Sequence, residues 1–164
     1  MTLEIFLSHN SRDRGWTEHV AAHAAALGIK PYLAEHDVRA GHFLAEKVQA
    51  AIRRSAAVVV LISDNSVNAP YVQQEIGFAL AMNKVVIPLV QPGVSGEMLA
   101  MLQGVEYIPF DFDDPEQGLA GLNVTLKRLV ERQQHDRRKQ RDQDEAVLVI
   151  GIAALVLIVL YYGN

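Results

Sequence analysis

The sequence predicts a flavodoxin-like α/β fold, in which a five-stranded parallel sheet with the strand order 2-1-3-4-5 carries helices on both faces. Short apolar segments alternate along the chain with segments of helical periodicity, and the connections between them are short. This alternation is typical of parallel strands joined by right-handed crossovers. In addition, residues 57–62 (AVVVLI) are all apolar and mostly β-branched. Such a segment is expected of a central strand that is buried on both faces.

The five predicted strands are apolar segments separated by polar or glycine-containing connections. They cover 3–8, 30–34, 57–62, 85–90 and 106–109. Pro88 lies inside the fourth of these segments, and proline cannot donate a backbone hydrogen bond to a neighbouring strand. We therefore expect this strand to lie at an edge of the sheet or to contain a bulge.

The predicted helices carry apolar residues at helical spacing. They cover 13–27, 43–54, a segment that begins at Pro70, 97–102 and 115–132. Asp13 suits the N-cap of the first helix, Gly28 ends it, and Trp16 is expected on its inward face.

The composition excludes several classes of protein. The net charge of −4 over 164 residues gives no support for a nucleic-acid-binding surface. The absence of cysteine excludes disulfides, thiolate catalysis and the common zinc sites. His19 and His23 have the i,i+4 spacing of metal ligands, but no third ligand is evident, so we expect neither a metal nor a bound cofactor. The N-terminal segment turns polar too soon for a signal peptide.

The C-terminal part of the chain predicts a membrane anchor. We divide the chain into a folded domain over 1–132, a charged juxtamembrane spacer over 133–145 and a transmembrane helix over 146–162. The spacer either continues the last helix or forms a flexible stalk. The final segment, AVLVIGIAALVLIVLYY, contains no charged residue. At ~1.5 Å rise per residue it spans ~26 Å, close to the thickness of the hydrocarbon core of a bilayer.

Basic residues in the spacer predict the orientation of this anchor. Arg137, Arg138, Lys139 and Arg141 lie close to the apolar segment. By the positive-inside rule, the folded domain is expected in the cytoplasm and the C-terminus across the lipid bilayer.

Glu75 is the most unusual residue of the third helix. Val72, Ile76 and Ala79 form an inward-facing stripe at helical spacing, and Glu75 falls in the same sector, one turn after Tyr71. A carboxylate there is costly to desolvate unless it is paired or used in chemistry. The helix follows the predicted central strand, and open α/β sheets bind their ligands outside the carboxyl ends of the strands. Glu75 is therefore the candidate catalytic residue, the alternative being an ion-paired carboxylate at the edge of the helix face.

Loops after the first three strands are expected to meet at one crevice, since the strand order reverses there. In the first loop, Ser8, His9 and Arg12 are candidate substrate-binding residues, because this donor-rich segment leads into a helix N-terminus that can receive an anion. Each also has an ordinary interpretation, as a turn cap, a solvated loop residue or an ion pair. The loop contains neither GxGxxG nor GxxxxGK[ST], which excludes a dinucleotide fingerprint and a P-loop.

Four segments, in the right order within residues 2–132, resemble those of a bacterial-type TIR (Toll/interleukin-1 receptor) domain. They are FLSHNSRD, HDVRAGHF, AVVVLIS and YVQQEIGFAL. The resemblance implies that Glu75 is the glutamate that enzymatic members need to cleave NAD. It also implies that the loop over 35–43, around Arg39, serves self-association with other TIR domains and gating of the pocket. In this chain Tyr71 replaces a tryptophan of many members, and Ala34 stands where many have an acidic residue.

The resemblance implies an NAD+ nucleosidase, a glycohydrolase or cyclase that cleaves the nicotinamide–ribose bond in bacterial immune signalling or antiphage defence. The predicted C-terminal helix would anchor it to a membrane. Phe43 and Tyr71 would flank the nicotinamide or the adenine, or serve as ordinary packing residues. Two alternatives stay open. One is a non-enzymatic adaptor that assembles with other TIR domains at the membrane, and the other is a nucleoside-processing transferase of related fold.

Overall fold

The computed structural model describes residues 2–33, 42–95 and 97–162, and of 42–45, 97–98 and 156–162 it describes the backbone alone. Over these residues the chain forms the strands β1 (Glu4–Ser8), β2 (Lys30–Leu33), β3 (Ala57–Ile62), β4 (Val85–Val90) and β5 (Ile108–Pro109). All neighbouring strands are parallel, and their order is β2-β1-β3-β4-β5. The predicted α/β fold and strand order are therefore confirmed.

Helices connect the strands at the predicted places. Over the described residues they are α1 (Arg14–Ala26), α2 (His42–Arg54), α3 (Pro70–Ala81), α4 (Glu97–Met101) and α5 (Glu116–Tyr162). A short 3-10 helix, Ser11–Asp13, precedes α1. Pro70 is in the first turn of α3, where its missing N–H costs nothing because that donor has no partner inside a helix.

The central strand β3 is buried along its whole length, and its side chains alternate between the two faces of the sheet. Val58 and Val60 pack with Phe6 in a cluster that also contains buried residues of α2 and α3. Val59 and Leu61 point to the other face, where they line a small void together with Val20 of α1. Helices therefore cover both faces of the sheet, as predicted.

Strand β4 lies inside the sheet, so the prediction that Pro88 places it at an edge is wrong. All six of its residues are paired with β3, and Pro88 is opposite Val60. On its other side, β5 pairs only with Leu89 and Val90. Because β5 is so short, Pro88 has no paired residue on that flank, and its missing N–H removes no bond there.

Aromatic side chains close one end of the α1 face. Trp16 stacks on Phe112 at 5.4 Å between ring centroids and meets Phe110 edge-on at 6.1 Å. Phe110 is fully buried, whereas Trp16 keeps part of its surface exposed. The predicted inward position of Trp16 thus corresponds to a packing site at the rim of the core.

The chain divides into two compact units, Met1–Leu126 and Lys127–Asn164. In the first unit, α5 begins against Phe110, since a Cβ atom added at Gly118 would lie 2.6 Å from Phe110 Cδ2. The predicted spacer over 133–145 is helical and belongs to α5. Among the described residues, no helix is both long enough and apolar enough to cross a membrane.

Candidate functional site

The Glu75 carboxyl is buried between α3 and the end of β1. Its exposed fraction is 5 %, and Ser8, the last residue of β1, is 1 % exposed. Ser8 Oγ donates a hydrogen bond of 2.5 Å to Glu75 Oε2. The two residues are far apart in the sequence, so this contact joins the first strand of the chain to the helix after the third.

Strand alternation explains why Ser8 meets Glu75. Ser8 and Phe6 are two residues apart in β1 and so share one face of the sheet. Phe6 packs in the cluster that contains Val72 and Ile76 of α3. Glu75 lies next to Ile76 on the buried side of the same helix, which brings its carboxyl to the carboxyl end of β1. This position is the point where the strand order reverses between β1 and β3.

Burial dominates the electrostatics of Glu75. It raises the pKa of the carboxyl from 4.5 to about 8, and the hydrogen bond from Ser8 acts in the opposite direction. The reason is that a low-dielectric environment disfavours the charged form, whereas a donated hydrogen bond favours it. At neutral pH the Glu75 carboxyl is therefore mostly protonated.

Asp13 has a different role from the predicted N-cap. It occupies the N-cap position of α1, but its side chain makes no capping hydrogen bond. Instead, the buried carboxylate accepts hydrogen bonds from Ser63 Oγ at 2.5 Å and Asn65 Nδ2 at 2.6 Å. Asn10 Nδ2 also donates to the backbone carbonyl of Asn65 at 2.9 Å. These bonds tie the loop after β1 to the loop after β3.

The sequence contained a partial signal for this network. Polar residues follow β3 directly in the segment SDNS, and the carboxyl ends of neighbouring parallel strands lie at one edge of a sheet. The donors Ser63 and Asn65 could have been paired with Asp13 on that basis. The local sequence favours an N-cap role for Asp13 instead, since capping is the commonest use of aspartate just before a helix.

His9 directly follows the last residue of β1, and the charged groups that act on its imidazole are Asp13, Arg14 and Glu18, at and after the start of α1. It is buried, and its Nδ1 is 3.4 Å from the carbonyl oxygen of Leu7. Burial lowers the pKa of its imidazole, partly offset by the Leu7 carbonyl and the charge of Asp13. The structure thus places His9 beside the start of α1 and does not bring it next to Glu75.

The other predicted site residues are Arg12, Tyr71 and Phe43. Arg12 is exposed in the 3-10 helix, where its backbone N–H donates to Asn10 Oδ1. Tyr71, in the first turn of α3, is half-buried and packs against the hydrophobic cluster of that face. Phe43 is in α2, but its side chain lies outside the described residues, as does most of the loop over 35–43 with Arg39.

A separate apolar cleft lies at the carboxyl ends of β4 and β5. Val94, Leu99 and Tyr107 contribute to its lining, together with Gln91 at its polar side, and neither Ser8 nor Glu75 borders it. Within the ranges that the structure describes, no three His, Asp or Glu side chains are grouped as metal ligands.

The arrangement around Glu75 is suited to chemistry on a sugar. In its protonated form the carboxyl both donates and accepts hydrogen bonds, and Ser8 adds a second hydroxyl beside it. In its ionised form it is a buried negative charge, which stabilises a nearby cation strongly because little water is present to screen it. A ligand that brings both hydroxyl groups and a positive charge matches these properties.

Comparison with protein families gives one assignment. The model of a family described as TIR domain matches residues 5–123, which is more than half of the chain. This range contains β2 to β5, all of β1 except Glu4, and the Ser8–Glu75 contact. No curated protein is similar enough in sequence to be matched to the chain.

Solved structures with a similar fold include proteins of different named functions. A CMP N-glycosidase from Clostridium botulinum is 17% identical, with a TM-score of 0.58, over 74% of this chain and 98% of that one. The TIR domain of a Toll-related receptor from Hydra magnipapillata is 20% identical, with a TM-score of 0.55, over 79% and 95%. A 2-deoxyribosyltransferase from Bacillus psychrosaccharolyticus is 14% identical, with a TM-score of 0.55, over 67% and 93%. At these identities the likeness is one of fold.

Proposed function

We propose that this chain, which belongs to the TIR-domain family, cleaves the bond between nicotinamide and ribose in NAD+ and that Glu75 is the catalytic residue. The observation that carries the proposal is the buried Glu75 carboxyl, which contacts Ser8 at the reversal of strand order. Ligands of open α/β sheets bind at this place. A buried carboxyl whose pKa is raised to about 8 is also the kind of perturbed group that clusters at functional sites.

The reaction needs only what this site offers. Cleavage breaks the bond between the ribose C1′ and the ring nitrogen, and the electron pair goes to nicotinamide, which thereby loses its positive charge. The ribose becomes oxocarbenium-like, as in glycoside hydrolysis, and the Glu75 carboxylate stabilises this cation. No general acid is required, because the leaving group already carries the charge. Water then attacks C1′ and releases a proton to the solvent, or the adenine of the same molecule attacks C1′ to give a cyclic product.

Two of the similar folds support this class of reaction. By their names, one is a CMP N-glycosidase and the other a 2-deoxyribosyltransferase used in the synthesis of nucleosides. Both names refer to chemistry at a sugar, and a carboxylate at the carboxyl edge of the sheet would serve it equally well. They also favour a second candidate, a nucleoside or nucleotide N-glycosidase that acts through the same Glu75.

The test is to incubate the purified full-length chain, free and clustered through an affinity tag, with NAD+ and in parallel with CMP and deoxynucleosides. Glu75→Gln keeps the shape of the side chain and removes its charge, so we expect turnover to fall about 100-fold or more. Glu18→Gln is the matched control, since Glu18 is an exposed carboxylate that pairs with Arg14 on the outside of α1. Equal turnover by wild type and Glu75→Gln would contradict the catalytic assignment.

The test also separates the remaining alternatives. Turnover of CMP or deoxynucleosides without turnover of NAD+ would assign the second candidate. Absence of turnover from every substrate, together with self-association of the chain, would assign the adaptor function. We include self-association with other TIR domains and a role in bacterial immune signalling in the proposal, both on the strength of the family.

Attachment to a membrane is a separate proposal, and the uncharged segment 146–162 alone supports it. Fractionation of cells that express the chain with and without this segment is the measurement. We expect the longer chain in the membrane fraction and the shorter chain in the soluble one. The longer chain in the soluble fraction would contradict an anchor.

A further inference from the structure

Asp13 is the buried centre of a hydrogen-bond network that the proposed reaction does not use directly. Its side chain is 3 % exposed. One carboxylate oxygen accepts from Ser63 Oγ and the other from Asn65 Nδ2, at 2.5 and 2.6 Å. A buried carboxylate is stable in the charged form only when such donors satisfy it.

The two donors belong to a loop that is itself ordered around Ser63. The backbone N–H groups of Asn65 and Ser66 donate to Ser63 Oγ, and Ser66 Oγ in turn accepts from the backbone N–H of Ser63 at 2.7 Å. Ser63 Oγ accepts bonds from its own loop and donates one to Asp13, so Asp13 fixes the orientation of this hydroxyl.

The network joins the two segments that carry the Ser8–Glu75 contact. Asp13 and Asn10 follow Ser8 in the loop after β1, and Ser63 and Asn65 lie in the loop that leads into α3, on which Glu75 sits. In addition to the Asp13 bonds, Asn10 Nδ2 bridges to the Asn65 carbonyl. The side-chain bonds therefore add a second link between these two segments, beyond the pairing of Ser8 with Val60 in the sheet.

From this geometry we propose that Asp13 is a positioning residue. It holds the loops after β1 and β3 together and thereby keeps Ser8 Oγ within hydrogen-bond distance of the Glu75 carboxyl. The inference rests on the proposed function for its kinetic consequence, but the placement of Glu75 is measurable without turnover. Displacements of about 1 Å at a reacting group cost up to about 100-fold in rate, and loss of two buried hydrogen bonds permits a displacement of this size.

The first experiment is a double-variant cycle on NAD+ cleavage with the full-length chain. Asp13→Ala is expected to lower kcat about 10- to 100-fold with KM changed less than about two-fold. Because Asp13 acts through the Ser8–Glu75 contact, adding Ser8→Ala to Asp13→Ala should reduce kcat far less than Ser8→Ala reduces it in the wild type. If the double variant lowers kcat by the product of the two single factors, Asp13 acts independently of Ser8, and the proposal is overturned.

The second experiment follows the Glu75 carboxyl by carbon-13 NMR during a pH titration of glutamate-labelled protein. The hydrogen bond from Ser8 lowers the pKa of Glu75, so displacement of Ser8 should raise the midpoint for Glu75 in Asp13→Ala. The midpoint should also rise, by a smaller amount, in Asn65→Ala, which removes one donor and keeps the Asp13 carboxyl. The exposed control Glu18→Ala should leave it unchanged. An unchanged or lower midpoint in Asn65→Ala and Asp13→Ala would overturn the positioning role.

These two measurements distinguish the failure of this inference from the failure of the proposed function. If the wild type cleaves no NAD+, the proposed function fails, and the NMR titration still decides whether Asp13 positions the site. If Asp13→Ala does not fold, Asn65→Ala replaces it in both experiments. Its side chain is partly exposed and contributes a single bond to Asp13, so the fold is expected to tolerate its loss.

Discussion

Replacing Glu75 by glutamine should change how the free energy of unfolding depends on pH, and replacing a surface carboxylate should not have this effect. Burial raises the pKa of Glu75 above the ordinary value of 4.5 to about 8 in the folded protein. The folded state therefore binds a proton over a range of pH in which the unfolded state has released it. The stabilisation from this proton is fully present below pH 4.5, and it is lost as the pH rises to about 8.

The magnitude follows from the two pKa values. At about 1.4 kcal/mol for each pH unit, a pKa raised from 4.5 to about 8 makes the wild type lose about 4 kcal/mol of unfolding free energy between about pH 5 and pH 9. Glu75→Gln has no proton to lose and keeps a carbonyl oxygen that accepts from Ser8 Oγ. The variant should therefore become more stable than the wild type as the pH rises.

Guanidinium unfolding of both proteins at a series of pH values measures this difference. Trp16 is the single tryptophan and stacks on Phe112, so its fluorescence reports loss of the fold. Titration of all other groups is common to both proteins and cancels in the comparison. If the stability difference between Glu75→Gln and wild type stayed constant from pH 5 to pH 9, Glu75 would not be buried as a neutral acid, and the reasoning would fail.

Two further predictions concern the rate of the proposed reaction and the packing of α5. The ionised carboxylate is the reactive form, so kcat/KM for NAD+ should rise with pH and level off above about 8; Ser8→Ala removes the hydrogen bond that lowers this pKa, and its profile should move to higher pH. Gly118→Ala should cost about 1–3 kcal/mol of unfolding free energy, because the new Cβ would lie 2.6 Å from Phe110 Cδ2 and 3.0 Å from the Pro109 carbonyl oxygen. Gly15→Ala meets no atom within 4 Å and serves as its control in the same denaturation assay, where equal losses would contradict the packing argument.

The elements that the sequence predicted best are those whose environment is uniform along their length. Strand β3 is buried on every side, so hydrophobicity alone marks its bounds, and the predicted segment 57–62 agrees with the structure. The bounds of β4 were equally well predicted, but its place in the sheet was not. Local propensity predicted an edge or a bulge at Pro88, but β4 pairs with β3 over six consecutive residues inside the sheet. Pro88 is tolerated there because β5 is short, which is a property of another segment.

The same distinction, between features set within one segment and features set by contact between segments, applies to the candidate site. The inward position of Glu75 follows from helical periodicity within one segment, and the structure places it on the buried face of α3. The partners of Asp13 could not be assigned in this way, since they depend on how closely two separate loops approach. The place of His9 could not be predicted either, because it lies just beyond the end of β1, where strand alternation no longer applies.

In the proposed reaction, the positive charge of the substrate would change the protonation state of Glu75. The free protein keeps Glu75 mostly neutral at pH 7, because burial raises its pKa to about 8. A nicotinamide cation placed near the carboxyl would lower that pKa, since an opposite charge within a few ångströms favours the ionised form. Binding would then release a proton and create the carboxylate where the ribose cation forms. A neutral nucleoside offers no such charge, so burial of Glu75 favours a cationic substrate over the nucleosides named for the similar folds.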